Sequence, residues 1–171
     1  MPKITVIYDS ESGHTKALAE AVAEGAREGG VEVAVKHVDE ARADDILSSD
    51  GLIVGSPTYC GVMSWKLKRF FDESVGAAWG KAKGKIGAAF TTSGGLGGGN
   101  EATLFSILSA LMNYGFLVFG LPDYSGPGVT AHYGAVAVGE PGEAQKKAAR
   151  MLGRQTAEYV KRMAGPHTTG D

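Results

Sequence analysis

The hydrophobic positions of this chain fall into short blocks that alternate between two rhythms. Lys3 to Tyr8 is a β-branched and aromatic run that predicts a strand, and Thr15 to Glu28 follows with Leu18, Ala21, Val22 and Gly25 at helical spacing. After Gly29 and Gly30, Val31, Val33 and Val35 alternate with polar partners, as in a strand at or near a sheet edge. The polar stretch from Asp39 to Asp50 reads as a short helix or a turn. Gly51 to Ser56 is apolar without alternation, the mark of a strand covered on both faces, and Pro57 is expected to end it. Trp65, Leu67, Phe70 and Phe71 then share one helical face, and Ile86 to Thr92 predicts a fourth strand. Asn100 to Tyr114 has the pattern of an amphipathic helix with Asn100 as N-cap and Gly115 past its end. Phe116 to Gly120 is expected as a fifth strand, Gly134 to Gly139 as a further extended piece, and Glu143 to Met163 as the last helix.

Strands alternating with helices predict an α/β fold, a doubly wound five-stranded parallel sheet with helices on both faces. The edge character of the second run and the central character of the third fit the order 2-1-3-4-5. A single domain over residues 1–165 is expected, with 166–171 as a flexible tail. In such a sheet a ligand belongs beyond the carboxyl ends of the first, third and fourth strands.

Composition narrows the function classes. The 17 Lys and Arg nearly balance 19 Asp and Glu, which gives no electrostatic case for nucleic acid or an anionic membrane. Cys60 is the lone cysteine, and no Cys/His cluster has metal-site spacing, so no metal is expected and a reducing, cytoplasmic setting is the default. No signal-peptide layout and no membrane-spanning run is present. The chain has 26 Gly, and they gather in the loops at the predicted site rather than in a low-complexity tract.

Three loops collect the unusual residues. In the first, the hydroxyls of Ser10, Ser12 and Thr15 surround a helix start that favours an anion, with Gly13 and His14 between them. No Lys or Arg lies within the hydroxyl cluster, so neutral donors would hold a monophosphate by geometry. An ordinary helix cap accounts for this loop equally well when it is taken alone. In the second, Pro57, Thr58 and Tyr59 would set backbone N–H groups and an aromatic ring beside a flat heterocycle, and Gly61 would allow close approach. In the third, Gly94, Gly95, Gly97, Gly98 and Gly99 strip away side chains and expose backbone donors. The first loop lacks the Gly and Lys spacing of a nucleoside triphosphate loop. Ser56 and Gly120 stand where a phosphoacceptor receiver domain would need Asp and Lys.

These motifs together resemble the flavodoxin-like FMN-binding superfamily, and most of all the WrbA type of NAD(P)H:quinone oxidoreductase. The resemblance rests on Ser10 to Thr15, on Asp50 to Ser64 and on Phe90 to Glu101, in order and each after the right strand. It implies FMN as cofactor. Ser10, Ser12, Gly13, His14 and Thr15 would bind the phosphate, and Pro57, Thr58, Tyr59 and Gly61 the isoalloxazine. Thr92, Ser93, Gly94, Gly97, Gly98 and Gly99 would line the ring edge and ribityl chain. Trp79 matches a Trp near a neighbouring subunit's flavin, which implies a homo-oligomer, dimer or tetramer. His132 to Ala135 resembles a Pro-Tyr-Gly-Ala segment near the site, and His132 is the candidate proton donor. Cys60, beside the predicted ring site, leaves two readings open, a redox-active thiol or inert packing, and the second is the expectation for a lone Cys near an apolar strand end. The chain departs from the quinone-reductase type in lacking an insertion between the second helix and third strand, and in having Asn113 and Tyr114 where that type has His. Two functions follow as expectations. One is electron transfer from NAD(P)H to a quinone or similar acceptor; the other is a flavodoxin-type carrier that serves a redox partner protein.

Overall fold

In the computed structural model, which describes residues 1–165, β1 (Lys3–Tyr8) leads into α1 (His14–Glu28), and the chain returns as β2 (Glu32–His37). The five-residue α2 (Ala43–Leu47) precedes β3 (Gly51–Pro57), which is followed by α3 (Trp65–Ala78), β4 (Ile86–Ser93) and α4 (Asn100–Asn113). Then come β5 (Leu117–Val118), β6 (Tyr124–Gly126), β7 (Val129–Thr130), β8 (Ala135–Val138) and α5 (Glu143–Ala164). The tail expected at 166–171 lies outside the described residues.

The sheet is parallel and ordered β2-β1-β3-β4-β5, with β8 also paired to β4. This confirms the α/β, flavodoxin-like order and corrects the strand count. β5 pairs with Ile86 and Gly87 at the start of β4, whereas β8 pairs with Phe90 to Ser93 at its end. The fifth position is therefore shared by two strands, and the chain between them leaves the sheet to form the β6–β7 hairpin. Phe119 and Gly120 do not continue β5: the His132 carbonyl oxygen lies 2.2 Å from where a Gly120 side chain would begin. Pro57 is the last residue of β3 rather than a stop before it, since it still pairs with Thr92.

Burial follows the alternation that predicted it. β2 is exposed or half-buried along its length, while every residue of β3 and β4 is buried. One core layer sets Leu18, Val22 and Leu152 from α1 and α5 against Ile4, Val6 and Ile53. The other sets Leu67, Phe71, Leu104, Ile107 and Leu111 from α3 and α4 against Ile7, Leu52 and Val54. The α1–α5 contact is made by main chain: a Cβ on Gly25 would lie 2.0 Å from the Arg150 carbonyl oxygen, and one on Gly153 would lie 2.0 Å from that of Val22. No helix among the described residues is long and apolar enough to cross a membrane.

Candidate cofactor site

The first loop is ordered by its own side chains. Ser10 Oγ accepts from the Gly13 N–H at 3.1 Å and the Lys16 N–H at 3.3 Å. Gly13 occupies the N-cap of α1 at φ 90°, a left-handed conformation that side-chain-bearing residues rarely adopt. The N–H groups of Ser12, His14 and Thr15 have no acceptor among the described residues. Ser12 and Gly13 are exposed, and His14 is half-buried. Thr15 is buried, with its Oγ1 2.8 Å from Thr92 Oγ1. Free N–H groups, hydroxyls and the positive end of a helix thus converge where an anion would sit.

Behind this loop lies a residue that the motif reading passed over. Asp9 is buried; its N–H donates to the Gly55 carbonyl at 3.1 Å, but its Oδ1 has no hydrogen-bond partner among the described residues. His37 Nε2 stands 3.4 Å from that oxygen, an ion-pair distance without hydrogen-bond alignment. The available signal was position, because Asp9 directly follows the first strand and His37 ends the second.

The second loop folds back on itself. Tyr59 and Val62 exchange N–H to carbonyl bonds at 3.0 and 3.1 Å around Cys60 at φ 49° and Gly61 at φ 82°. Two consecutive left-handed residues make this a type I′ turn. Cys60 is exposed at its tip, which corrects the expectation of inert packing: the turn points its side chain away from the core. Partial burial, then the neighbouring Glu11 carboxylate and Asp9, hold the Tyr59 phenol above its ordinary range. The loop is closed at its base, where Ser56 Oγ accepts from the Ser64 N–H at 2.8 Å and donates to the Pro57 carbonyl at 2.7 Å.

The third loop is tied to the second and braced within itself. The Thr58 N–H donates to the Thr92 carbonyl at 2.7 Å, and Ser93 Oγ donates to the Gly95 carbonyl at 3.0 Å. Gly94, Gly95 and Gly97 have open space where side chains would be, whereas a Cβ on Gly99 would lie 3.2 Å from Gly61 Cα. Gly98 turns back within the loop, close to the Gly95 carbonyl. Gly99, at φ 102°, is the N-cap of α4 in place of the expected Asn100. Asn100 is instead buried in the first turn, its Oδ1 3.4 Å from Thr58 Oγ1.

The structure therefore joins Thr15, Thr92 and Thr58 in one chain of contacts and sets Gly61 against Gly99. His132 lies elsewhere, with Nδ1 3.0 Å from the Leu121 carbonyl oxygen. With Leu96, Gly97, Glu101, Tyr133 and Val138 it lines a cavity of about 440 Å³ on the β8 side of the glycine loop. Trp79 ends α3, half exposed, with its ring edge-on to Tyr114 at 5.7 Å.

Comparison with known proteins agrees with this geometry. The sequence profile of the family described as Flavodoxin matches residues 6–153. A flavodoxin of Aquifex aeolicus is 59% identical over 162 residues, 94% of this chain and 88% of that protein. An NAD(P)H dehydrogenase (quinone) of Archaeoglobus fulgidus is 38% identical over 194 residues, 95% of this chain and 100% of that protein. That alignment is longer than the 171 residues of the chain, so the relative carries segments that the chain lacks. A solved structure, the WrbA-like flavodoxin from Agrobacterium tumefaciens, superposes with a TM-score of 0.79 at 27% identity, covering 95% of this chain and 99% of that one. With three loops converging at the carboxyl ends of β1, β3 and β4, the chain belongs to the flavodoxin family, whose cofactor is FMN.

Proposed function

We propose that the three loops hold FMN and that the protein passes electrons from NAD(P)H to a quinone-like acceptor. The donor set fits the cofactor at each end. Ser10 Oγ already accepts two N–H bonds, so its own proton is free for a phosphate oxygen, beside Ser12, Thr15 and the unpaired N–H groups of Gly13's neighbours. Pro57, Thr58, Tyr59 and Gly61 would hold the isoalloxazine, and Thr92, Ser93, Gly94 and Gly97 to Gly99 would line the ring edge and ribityl chain.

FMN supplies the redox chemistry, taking up a hydride and releasing electrons. The residues of the chain orient it and leave it accessible. Tyr59 offers an aromatic surface, while the glycine loop offers main chain without a bulky cover. His132, which lines the adjoining cavity, would be the proton donor to a reduced acceptor.

The observation that carries the reading is the open side of this loop. Gly97 and Leu96 border both the loop tip and the 440 Å³ cavity, giving a small molecule an approach from that side. A second reading, an electron carrier without nicotinamide activity, is favoured by the Aquifex flavodoxin, which aligns over 162 residues without the extra length of the quinone-dehydrogenase relative. Anaerobic mixing with NADH or NADPH separates the two. Bleaching of the yellow protein, followed by recovery of colour with benzoquinone, supports the enzyme. No response to either nicotinamide, with ready reduction by a low-potential donor, supports the carrier.

A further inference from the structure

Two helices begin at the candidate site, and their first turns differ in charge. α1 has no acidic residue there, which leaves its amino end to a ligand anion, whereas α4 carries Glu101 in its own first turn. Glu101 also lines the cavity of about 440 Å³ on the β8 side of the glycine loop. We infer that Glu101 is a specificity-determining residue, through which this cavity admits an uncharged aromatic acceptor and turns away one that bears a negative charge. The inference rests on the approach of the acceptor through that cavity.

The rest of the lining gives this one charge its weight. No Lys or Arg lines the cavity among the described residues, so an anion inside it would meet Glu101 without a counter-charge. The neighbouring elements do not supply one. Glu140 follows β8, and Glu143 opens α5. Arg150, which bonds Glu143 and pairs with Glu24 of α1, lies outside the lining, as do Lys146 and Lys147 of α5.

The remaining walls suit a flat apolar ring. Leu104, Val136 and Val138 supply aliphatic surface, and Tyr133 adds an aromatic ring packed against that of Phe105 at 4.9 Å. Leu96, 95% exposed, forms the side shared with the glycine loop. Thr130 and Gln145 bring neutral polar groups that can hydrogen-bond the oxygens of a quinone. Apolar walls with a few polar groups are the usual make-up of a small-molecule site, and here the sole carboxylate sets the sign of the charge it tolerates.

The test is titration calorimetry on the oxidised, FMN-loaded protein without nicotinamide, so that binding is read and nothing turns over. The probes are menadione, which is uncharged, and naphthoquinone sulfonate, an anion on the same ring system. At low salt, Glu101→Gln should lower the ratio of menadione affinity to sulfonate affinity on the order of tenfold, the scale of one charge pair near a protein surface. Glu101→Lys should lower it further. Added salt should narrow the ratio in the unmodified protein and leave it unchanged in Glu101→Gln. Glu140→Gln, outside the lining, should keep the ratio within about twofold. Val138→Trp, which fills the cavity from a half-exposed position, should abolish binding of both probes. A ratio that neither Glu101 variant alters, or an equal fall in Glu140→Gln, overturns the role of Glu101. Menadione binding that Val138→Trp does not weaken, or none by the unmodified protein, overturns the approach through the cavity itself, and so the two failures are distinguishable.

Discussion

The two ends of the candidate site stand on different footings. The first loop is carried by α1, which meets α5 main chain to main chain at Gly25 and Gly153. The glycine loop is carried by α4, which is held by side chains: Leu104, Ile107 and Leu111 in the core, and past its end the Tyr114 hydroxyl, which donates to the Phe71 carbonyl. Both helices are entered through a left-handed glycine, Gly13 or Gly99. Ahead of Gly13, however, Ser10 fixes the loop with two bonds, while Gly94, Gly95 and Gly97 face open space. A phosphate needs donors at fixed points, because reorganising them on binding costs affinity. The comparison teaches that the first loop is braced by a hydroxyl that grips backbone N–H groups, whereas the glycine loop is braced through the Gly95 carbonyl and kept clear of side chains.

The most damaging way to break this contrast is at the α1–α5 contact. Gly153→Val drives side-chain atoms into the Val22 carbonyl and should cost about 3 kcal/mol or more in denaturant unfolding. A loss below about 1 kcal/mol would show that α1 is as yielding as α4. Next comes Gly99→Val, which puts a β-branched residue at φ 102° against Gly61 and should cost roughly 2–3 kcal/mol while weakening FMN binding. Gly95→Ala, in open space with no positive φ, should stay within about 0.5 kcal/mol, and a larger loss would mean that the loop tip is not free.

Smaller effects sharpen the contrast. Thr15→Val removes the buried hydroxyl facing Thr92 and should cost about 1–2 kcal/mol, with FMN affinity falling more than riboflavin affinity. Equal losses for the two flavins would place the effect on the fold instead of the phosphate. Tyr114→Phe probes the ring end and should cost about 1 kcal/mol near neutrality for the lost bond to Phe71. Burial, then Asp72, pushes the Tyr114 phenol up to about 12 from 10.0. Because its folded value is the higher one, this stabilisation is complete below pH 10.0 and is lost as pH rises toward about 12. The Phe variant should lack that part of the alkaline decline, which unfolding measured across the same range will show.

Most of the architecture was legible because burial leaves a direct trace in residue pattern. The alternation of Val31, Val33 and Val35 marked β2 as an edge, and the unbroken run from Gly51 to Ser56 marked β3 as central. The split fifth position was not legible. A two-residue pairing at Leu117 and Val118 is too short for periodicity to delimit, and the turn away at Gly120 depends on the distant His132 carbonyl. At the site, the loops could be found by their unusual composition, but the capping of α4 could not. Asn is a preferred N-cap in general, yet here the approach of Gly99 to Gly61 gives that position to glycine and draws Asn100 inward to Thr58. The Asp9–His37 pairing escaped notice for a similar reason, since the two residues become neighbours only when β1 and β2 pair.

The type I′ turn of the second loop leaves the sole thiol of the chain, Cys60, on its exposed tip beside Tyr59. For spectroscopy this amounts to a built-in attachment point. A maleimide dye would react at one defined position without any engineered cysteine, and energy transfer to the yellow cofactor would then report its loading and release, molecule by molecule.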